Sequence, residues 1–338
     1  MTANSIIGRR NVKLDFLRVL AIIGCIVSHA LMAEPSLSLT EYHWIILFMP
    51  DTAAIFIMAS GAVILERPGR CDWRYVWYRM STFLPEFIIF SLLYVFMDNA
   101  CGMASQVYST LQRICYMFVI PTWAPGWFIL ALIGVYLVMP FIASWVTNAT
   151  KRQVEIALAI WLTGTILPVL APHVDIYIPD SAFGTIFNYA GYMLLGYYLQ
   201  HWPFANRSFK FKFGFFALTI GIGIVFGYFL GKSGAKWGYI NTLGSGLSIT
   251  IVMMSLLLYG AVLLLPDKWF KGLFARIVVR ISIVSLGIYC VHWLVIGYWA
   301  IPRHIDWITG TLVALAVSIP LAWLMRTLRL LIRSGKAQ

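Results

Sequence analysis

Apolar runs about as long as a bilayer is thick recur along the whole chain, and this leaves few folds open to it. A membrane-crossing helix needs roughly 20 apolar residues. Ten such runs can be read, at residues 14–33, 43–65, 80–98, 126–146, 155–172, 184–200, 213–231, 244–265, 282–300 and 308–325. In lipid every backbone polar group needs a partner within the protein, so runs of this length imply helices. The expectation is an all-α, polytopic membrane bundle of about ten spans. It forms one domain over residues 1–338, because no linker is long enough to hold a separate soluble domain. Only 11% of the residues are charged, against about a quarter in soluble domains.

The basic residues orient the bundle. With the N-terminus inside, the inner segments hold Arg9, Arg10 and Lys13; Arg67, Arg70, Arg74 and Arg79; Lys151 and Arg152; Arg207, Lys210 and Lys212; Lys268, Lys271, Arg276 and Arg280; and Arg326, Arg329, Arg333 and Lys336. The outer segments hold Arg113, Lys232, Lys236 and Arg303. Twenty cations against four agree with the positive-inside rule and put both termini in the cytoplasm. The net charge of +12 is therefore a topology signal, and its spread over many loops excludes a nucleic-acid face. Residues 9–33 have the outline of a signal peptide ending at Ala33. Asp15 and Arg18 near the apolar stretch, and the large Leu31 at the minus-three position, argue for a retained first span.

Polar side chains inside apolar runs are costly and mark sites or partners. In the first run Arg18 and His29 are eleven residues apart, about 16 Å of helical rise on nearly one face. Asp15, one turn before Arg18, can pair with it. Cys25, seven residues after Arg18, falls on the same face. An apolar-surrounded imidazole suits a general base, although a hydrogen-bonded packing role explains it too. Asp51 lies in the outer part of the second run, where it either orients His29 or caps a helix broken at Pro50. Ser60-Gly61 reads as a close-packing device. Arg74 and Arg79 stand at an inner mouth where cations can grip phosphates, and Glu86 shares the face of Arg79 deeper in the run. Ser285, Tyr289 and His292 share one face of the ninth run, as a clamp between helices or as part of a site. Cys101 and Cys115 share an outer segment and could pair in an oxidising exterior. No Cys-x-x-Cys or His-x-x-x-His spacing occurs, so a metal site is not expected.

Six pieces come in a telling order: Asp15-x-x-Arg18-x10-His29, Phe56-x-x-x-Ser60-Gly61, Arg79 six before Pro85, Trp127-Phe128 ahead of Tyr136-x-x-x-Pro140, Tyr192-x-x-x-Gly196, and Ser285-x-Gly287-Ile288-Tyr289-x-x-His292. Together they resemble the acyltransferase-3 family of integral membrane O-acyltransferases, in its stand-alone form without a soluble esterase-like domain. The resemblance implies transfer of an acyl group, commonly acetyl from acetyl-CoA, to a hydroxyl of a cell-surface glycan or its lipid-linked precursor in a bacterial inner membrane. It implies that His29 is the catalytic histidine, that Arg18 is a donor-site cation and that Arg79 holds CoA phosphates. Arg74, Glu86, Tyr289 and His292 are the further donor-site candidates, and Asp51 the candidate partner of His29. Thr82 stands where many members carry a second Arg, and Ala54 where many carry Asp. His29 either deprotonates the acceptor or becomes transiently acylated. Trp44, Trp123 and Trp237 are candidates for sugar stacking, with anchoring at the membrane interface the favoured role for each. A transporter or flippase for a lipid-linked sugar is the rival reading, since it also explains polar spans and basic inner loops.

Overall fold

The computed structural model describes residues 10–34, 52–66, 71–103, 107–170, 189–202 and 249–335, with a few single positions between 208 and 221. Among them no strand occurs. The main helices are α1 (Val12–Ala30), α2 (Thr52–Ile64), α3 (Trp73–Ala100), α4 (Thr110–Cys115), α5 (Trp127–Val146), α6 (Lys151–Leu170), α7 (Ala190–His201), α8 (Ile249–Leu264), α9 (Gly272–Ile283), α10 (Ser285–Val295) and α11 (Trp307–Gly335). Five stretches among the described residues are long and apolar enough to cross a membrane: Val12–Ala33, Trp73–Ala100, Ala124–Val146, Ser285–Arg303 and Trp307–Leu331. Ala53–Ile64 and Ile251–Leu264 are apolar but shorter. The chain is thus a helical, multi-pass membrane protein. Most of the expected seventh span, 213–231, lies outside the described residues, as do Asp51, Trp44 and Trp237.

The chain forms two units, Met1–Glu66 with Ala149–Gln338, and Arg67–Asn148. At the centre of the first is α1, packed by α2, α8, α9, α10 and α11. Leu17, Ala21, Ile22 and Ile26 are fully buried, as expected of a helix surrounded by others. The Asn11 side chain caps α1, accepting from the Lys13 and Leu14 backbone N–H groups at 3.1 and 3.4 Å. The Lys13 ammonium ties this end to α8, donating to the Leu263 carbonyl at 2.9 Å and pairing with Asp267 at 2.7 Å.

The helices α2 and α7 meet at backbone distance. A Cβ on Gly61 would run into the backbone of Met193, and one on Gly196 into that of Met58. The small residues let the two backbones touch, as in other membrane helix crossings. Ser60 turns its hydroxyl back to the Phe56 carbonyl at 2.9 Å.

Two departures from the sequence expectation shape this unit. The segment between spans eight and nine, read as a basic inner loop, contains α9. It buries Ala275, Val278, Val279 and Ser282 and exposes Arg276 and Arg280, an amphipathic pattern. The helix breaks at Val284 before α10 begins. The second departure is α6, which starts at Lys151, four residues earlier than read. Thr150 and Gln153 form a capping box there, with Gln153 N–H to the Thr150 hydroxyl at 3.4 Å and Thr150 N–H to the Gln153 carboxamide at 2.7 Å.

In the second unit Asp72 caps α3, accepting from Tyr75 N–H at 2.8 Å. The helix therefore starts at Trp73 instead of residue 80, and runs 28 residues. That is about 42 Å, against a hydrocarbon layer of about 30 Å, so Arg74 and Arg79 sit on a helix end and not in a loop. Phe83 stacks on Tyr136 of α5 with centroids 5.8 Å apart. In the segment between α3 and α5 Arg113 pairs with Asp98 at 2.5 Å and donates to the Thr122 carbonyl at 2.7 Å. Asn99 donates to Thr110 at 2.8 Å. These polar bonds join the segment, while Cys101 and Cys115 are both exposed free thiols, so the pairing their shared segment allowed is not formed. Trp123 is buried and stacks on Tyr94 at 4.8 Å, so its ring face is covered and cannot receive a sugar.

Candidate active site

Two polar clusters lie on α1, one near each end. At the start, Asp15 is 1% exposed and accepts four hydrogen bonds. Arg10 donates from Nε at 2.8 Å and from Nη2 at 2.5 Å, Arg18 from Nη1 at 3.2 Å, and the Ser282 hydroxyl of α9 at 2.7 Å. Arg18 also donates from Nη2 to the Ala59 carbonyl of α2 at 3.2 Å. The spacing of Asp15 and Arg18 announced their pairing. Arg10 and Ser282 were not foreseen, because Arg10 precedes the helix and Ser282 arrives through tertiary packing. A buried carboxylate is tolerated only when its lone pairs are filled in this way.

At the other end His29 meets His292. Nδ1 of His29 lies 3.0 Å from Nε2 of His292, with ring centroids 5.1 Å apart and ring planes 23° apart. His292 is fully buried, and its Nδ1 lies 2.5 Å from the Tyr289 carbonyl. The Trp293 ring meets His29 edge-on, with centroids 5.6 Å apart. Cys25 Sγ lies 3.6 Å from His29 Nδ1. His29 alone of the two imidazoles keeps part of its surface open. Helix α10 ends in a π-turn at Ile296–Ala300, a local widening frequent at functional sites. Gly297 there has no room for a Cβ against the Trp293 ring, at 2.6 Å.

The ligand atoms of Cys25, His29 and His292 all fall within 4.8 Å of one another, a set that could hold a metal ion. Sequence spacing did not suggest it, since His292 comes from a distant helix. As the rings stand, their facing nitrogens are at hydrogen-bond separation, 3.0 Å.

The remaining candidates belong to the second unit. Arg79 is half-buried and donates from Nε at 3.4 Å and Nη2 at 3.2 Å to the Tyr136 hydroxyl, with its guanidinium 5.9 Å from the ring centre. Among the described residues no carboxylate pairs with it. Arg74 is exposed and Glu86 half-buried along the same helix. Just before α3, burial and then the Asp72 charge push the Cys71 thiol up to about 11.

A helix-borne Arg18 and His29, with a second histidine brought in by the Gly287–His292 stretch, is the arrangement the sequence resemblance rests on. The acyltransferase domain family matches residues 11–327, nearly the whole chain. The chain belongs to the acyltransferase-3 family. No curated protein and no solved structure matches it. Membership makes the chain a membrane acyltransferase by family, and the match takes in both clusters of α1, helix α10 and the Arg79 helix together.

Proposed function

We propose that this acyltransferase-3 chain moves an acetyl group from cytoplasmic acetyl-CoA to a hydroxyl of a cell-surface glycan or its lipid-linked precursor, with His29 as the catalytic residue. The observation that carries the reading is the partly open His29 imidazole, hydrogen-bonded at 3.0 Å to a buried His292, on the helix face that also bears Arg18. His29 takes the proton of the acceptor hydroxyl as that oxygen attacks the thioester carbonyl. The carbon–sulfur bond then breaks, and His29 returns the proton to the departing sulfur. Protons and charge balance over the cycle, and His29 ends as it began.

Arg79 suits the phosphates of the donor, because its guanidinium is held in place by Tyr136 while its charge has no described carboxylate beside it. Arg74 adds to the same basic helix end. Arg18 fixes the foot of α1 through Asp15 and Ala59 and contributes positive charge on the His29 face. Ten spans with both termini in the cytoplasm of a bacterial inner membrane fit the placement of the basic residues. They also fit α11, whose Gly310 lies level with Ala30 (a Cβ there would be 3.7 Å from the Ala30 methyl) and whose Arg326 lies within electrostatic reach of Arg10. The start of α1 and the late part of α11 thus share one end of their unit.

The deciding experiment is an acetyl-transfer assay on purified protein with acetyl-CoA, coupled to mass spectrometry of surface glycans from cells with and without the gene. Thioester consumption and one acyl mass increment on a glycan are expected. Glycan passage across the membrane with no thioester consumed would place the chain among transporters instead.

A further inference from the structure

We infer that His292 is a positioning residue. Through a hydrogen bond anchored on the Tyr289 carbonyl, it fixes which nitrogen of His29 carries the proton and leaves Nε2 of His29 to meet the substrate. The inference rests on the acyltransferase reading above.

A carbonyl oxygen only accepts, so the 2.5 Å contact between His292 Nδ1 and the Tyr289 carbonyl requires a proton on Nδ1. The ring is fully buried, and no described carboxylate bonds or pairs with it. A second proton would make it an uncompensated buried cation, which is costly. Nε2 of His292 is therefore a lone pair, and it faces His29 Nδ1 at 3.0 Å. A hydrogen bond there requires the proton to sit on His29 Nδ1. The Cys25 sulfur, at 3.6 Å from the same nitrogen, is a weak second acceptor. In the neutral ring the remaining nitrogen, Nε2, then carries the free lone pair. The inner ring is shut in on all sides and the outer ring is partly open, so only His29 can receive a proton from a substrate.

The relay runs from backbone carbonyl to His292, to His29, to the acceptor hydroxyl. When His29 takes up a proton at Nε2, its Nδ1–H still points at an acceptor, so the transient imidazolium stays hydrogen-bonded. No carboxylate is needed in this scheme. The part often played by an acidic residue falls to a histidine pinned by its own helix.

The test compares His292→Gln, His292→Asn and His292→Leu with His29→Ala in the purified full chain, measuring kcat and the KM for acetyl-CoA. The Gln carboxamide oxygen reaches about where Nε2 lies and accepts from His29, so His292→Gln should keep kcat within about threefold. Asn is one carbon too short to reach, and Leu fills space without accepting. Both should lose between about 10-fold and the roughly 10⁴-fold that a wrong tautomer costs in a serine hydrolase triad. Their KM for acetyl-CoA should stay near the original value. A His292→Leu enzyme with full kcat, a His292→Gln enzyme no better than His292→Leu, or losses confined to KM would each overturn the inference. So would a His292→Gln protein that fails to accumulate, since that result assigns His292 to packing. Activity removed by a chelator and restored by zinc would assign the Cys25–His29–His292 set to a metal and overturn it as well. An active His29→Ala enzyme sinks the acyltransferase chemistry itself, whereas an inactive His29→Ala beside a fully active His292→Leu sinks only the positioning role.

Discussion

Near its start α1 holds a carboxylate that accepts from Arg10, Arg18 and Ser282; near its end it holds an imidazole whose Nδ1 is engaged by His292 and Cys25. Both groups sit on one helix and both are clasped by the same later segment, Ser282 at one end and His292 at the other. The first cluster is saturated. Asp15 has no surface left for a ligand, and its role is to fasten α1 to α9 and, through Arg18, to α2. Among the described residues, the second cluster leaves one nitrogen of His29 without a hydrogen bond. A buried charge demands complete compensation, while a neutral ring can be held by one nitrogen and keep the other for chemistry. Hydrogen-bond completeness therefore separates the fastening end of a single helix from the end proposed to react.

The comparison breaks most sharply at His29. Removing a general base costs about 10²–10⁴-fold in rate, so His29→Ala should leave near-zero glycan acylation with normal membrane levels and retained acetyl-CoA binding. A variant that is active, or that merely fails to accumulate, would erase the distinction between the two ends. Asp15→Asn should do the reverse. It leaves two guanidiniums without their counter-charge, and breaking such a buried set costs roughly 3–5 kcal/mol. The lower figure is expected, because the Arg10 side chain is 32% exposed and partly solvated. The readout is a lower thermal midpoint and lower membrane content, with kcat per folded molecule close to normal. A stable Asp15→Asn protein with collapsed kcat would make Asp15 part of the chemistry.

Arg79 sharpens the contrast between committed and available cations. A charge-assisted contact is worth roughly 1.5–3 kcal/mol, so Arg79→Ala should raise the acetyl-CoA requirement about 10- to 100-fold with little change in maximal rate. The opposite split, an unchanged requirement and a lost maximal rate, would remove Arg79 from the donor site. The smallest effect concerns Cys25, 3.6 Å from His29 Nδ1. A thiol reagent at neutral pH should inhibit slowly, acetyl-CoA should protect, and Cys25→Ala should be spared. Cys71 is a poor competitor, because its thiol is pushed up to about 11 and is almost wholly protonated at that pH. Full inhibition of Cys25→Ala would show that another thiol is responsible.

The legibility of the molecule in its sequence follows the range of the interactions. The face joining Asp15, Arg18, Cys25 and His29 could be read from helical spacing alone, because one helix carries all four. The glycine crossing was equally legible at Gly61, since small residues in apolar helices announce close approach. His292 was visible as a polar residue in an apolar run, but its partner was not, because the contact spans 263 positions of sequence. Asp51 was the candidate partner, weighed equally against a capping role after Pro50, and it lies outside the described residues. Helix α9 was hidden by its charges: Arg276 and Arg280 look like loop residues until the buried stripe of Ala275, Val278, Val279 and Ser282 is followed at helical spacing. The early starts of α3 and α6 were written in Asp72 and in Thr150 with Gln153, capping signals overshadowed by hydropathy.

The break at Val284 sets a phase relation. Residues 282–292 run alongside α1 in the same direction, meeting it at Ser282–Asp15 and again at His292–His29. One added residue between those two contacts would leave Ser282 where it is and swing His292 by about 100° around its axis. Every residue type would still be present, and the fastening end would still close, yet His292 would no longer face His29. The spacing works as a vernier: two scales agree at both marks only when the single non-helical residue between them is counted correctly.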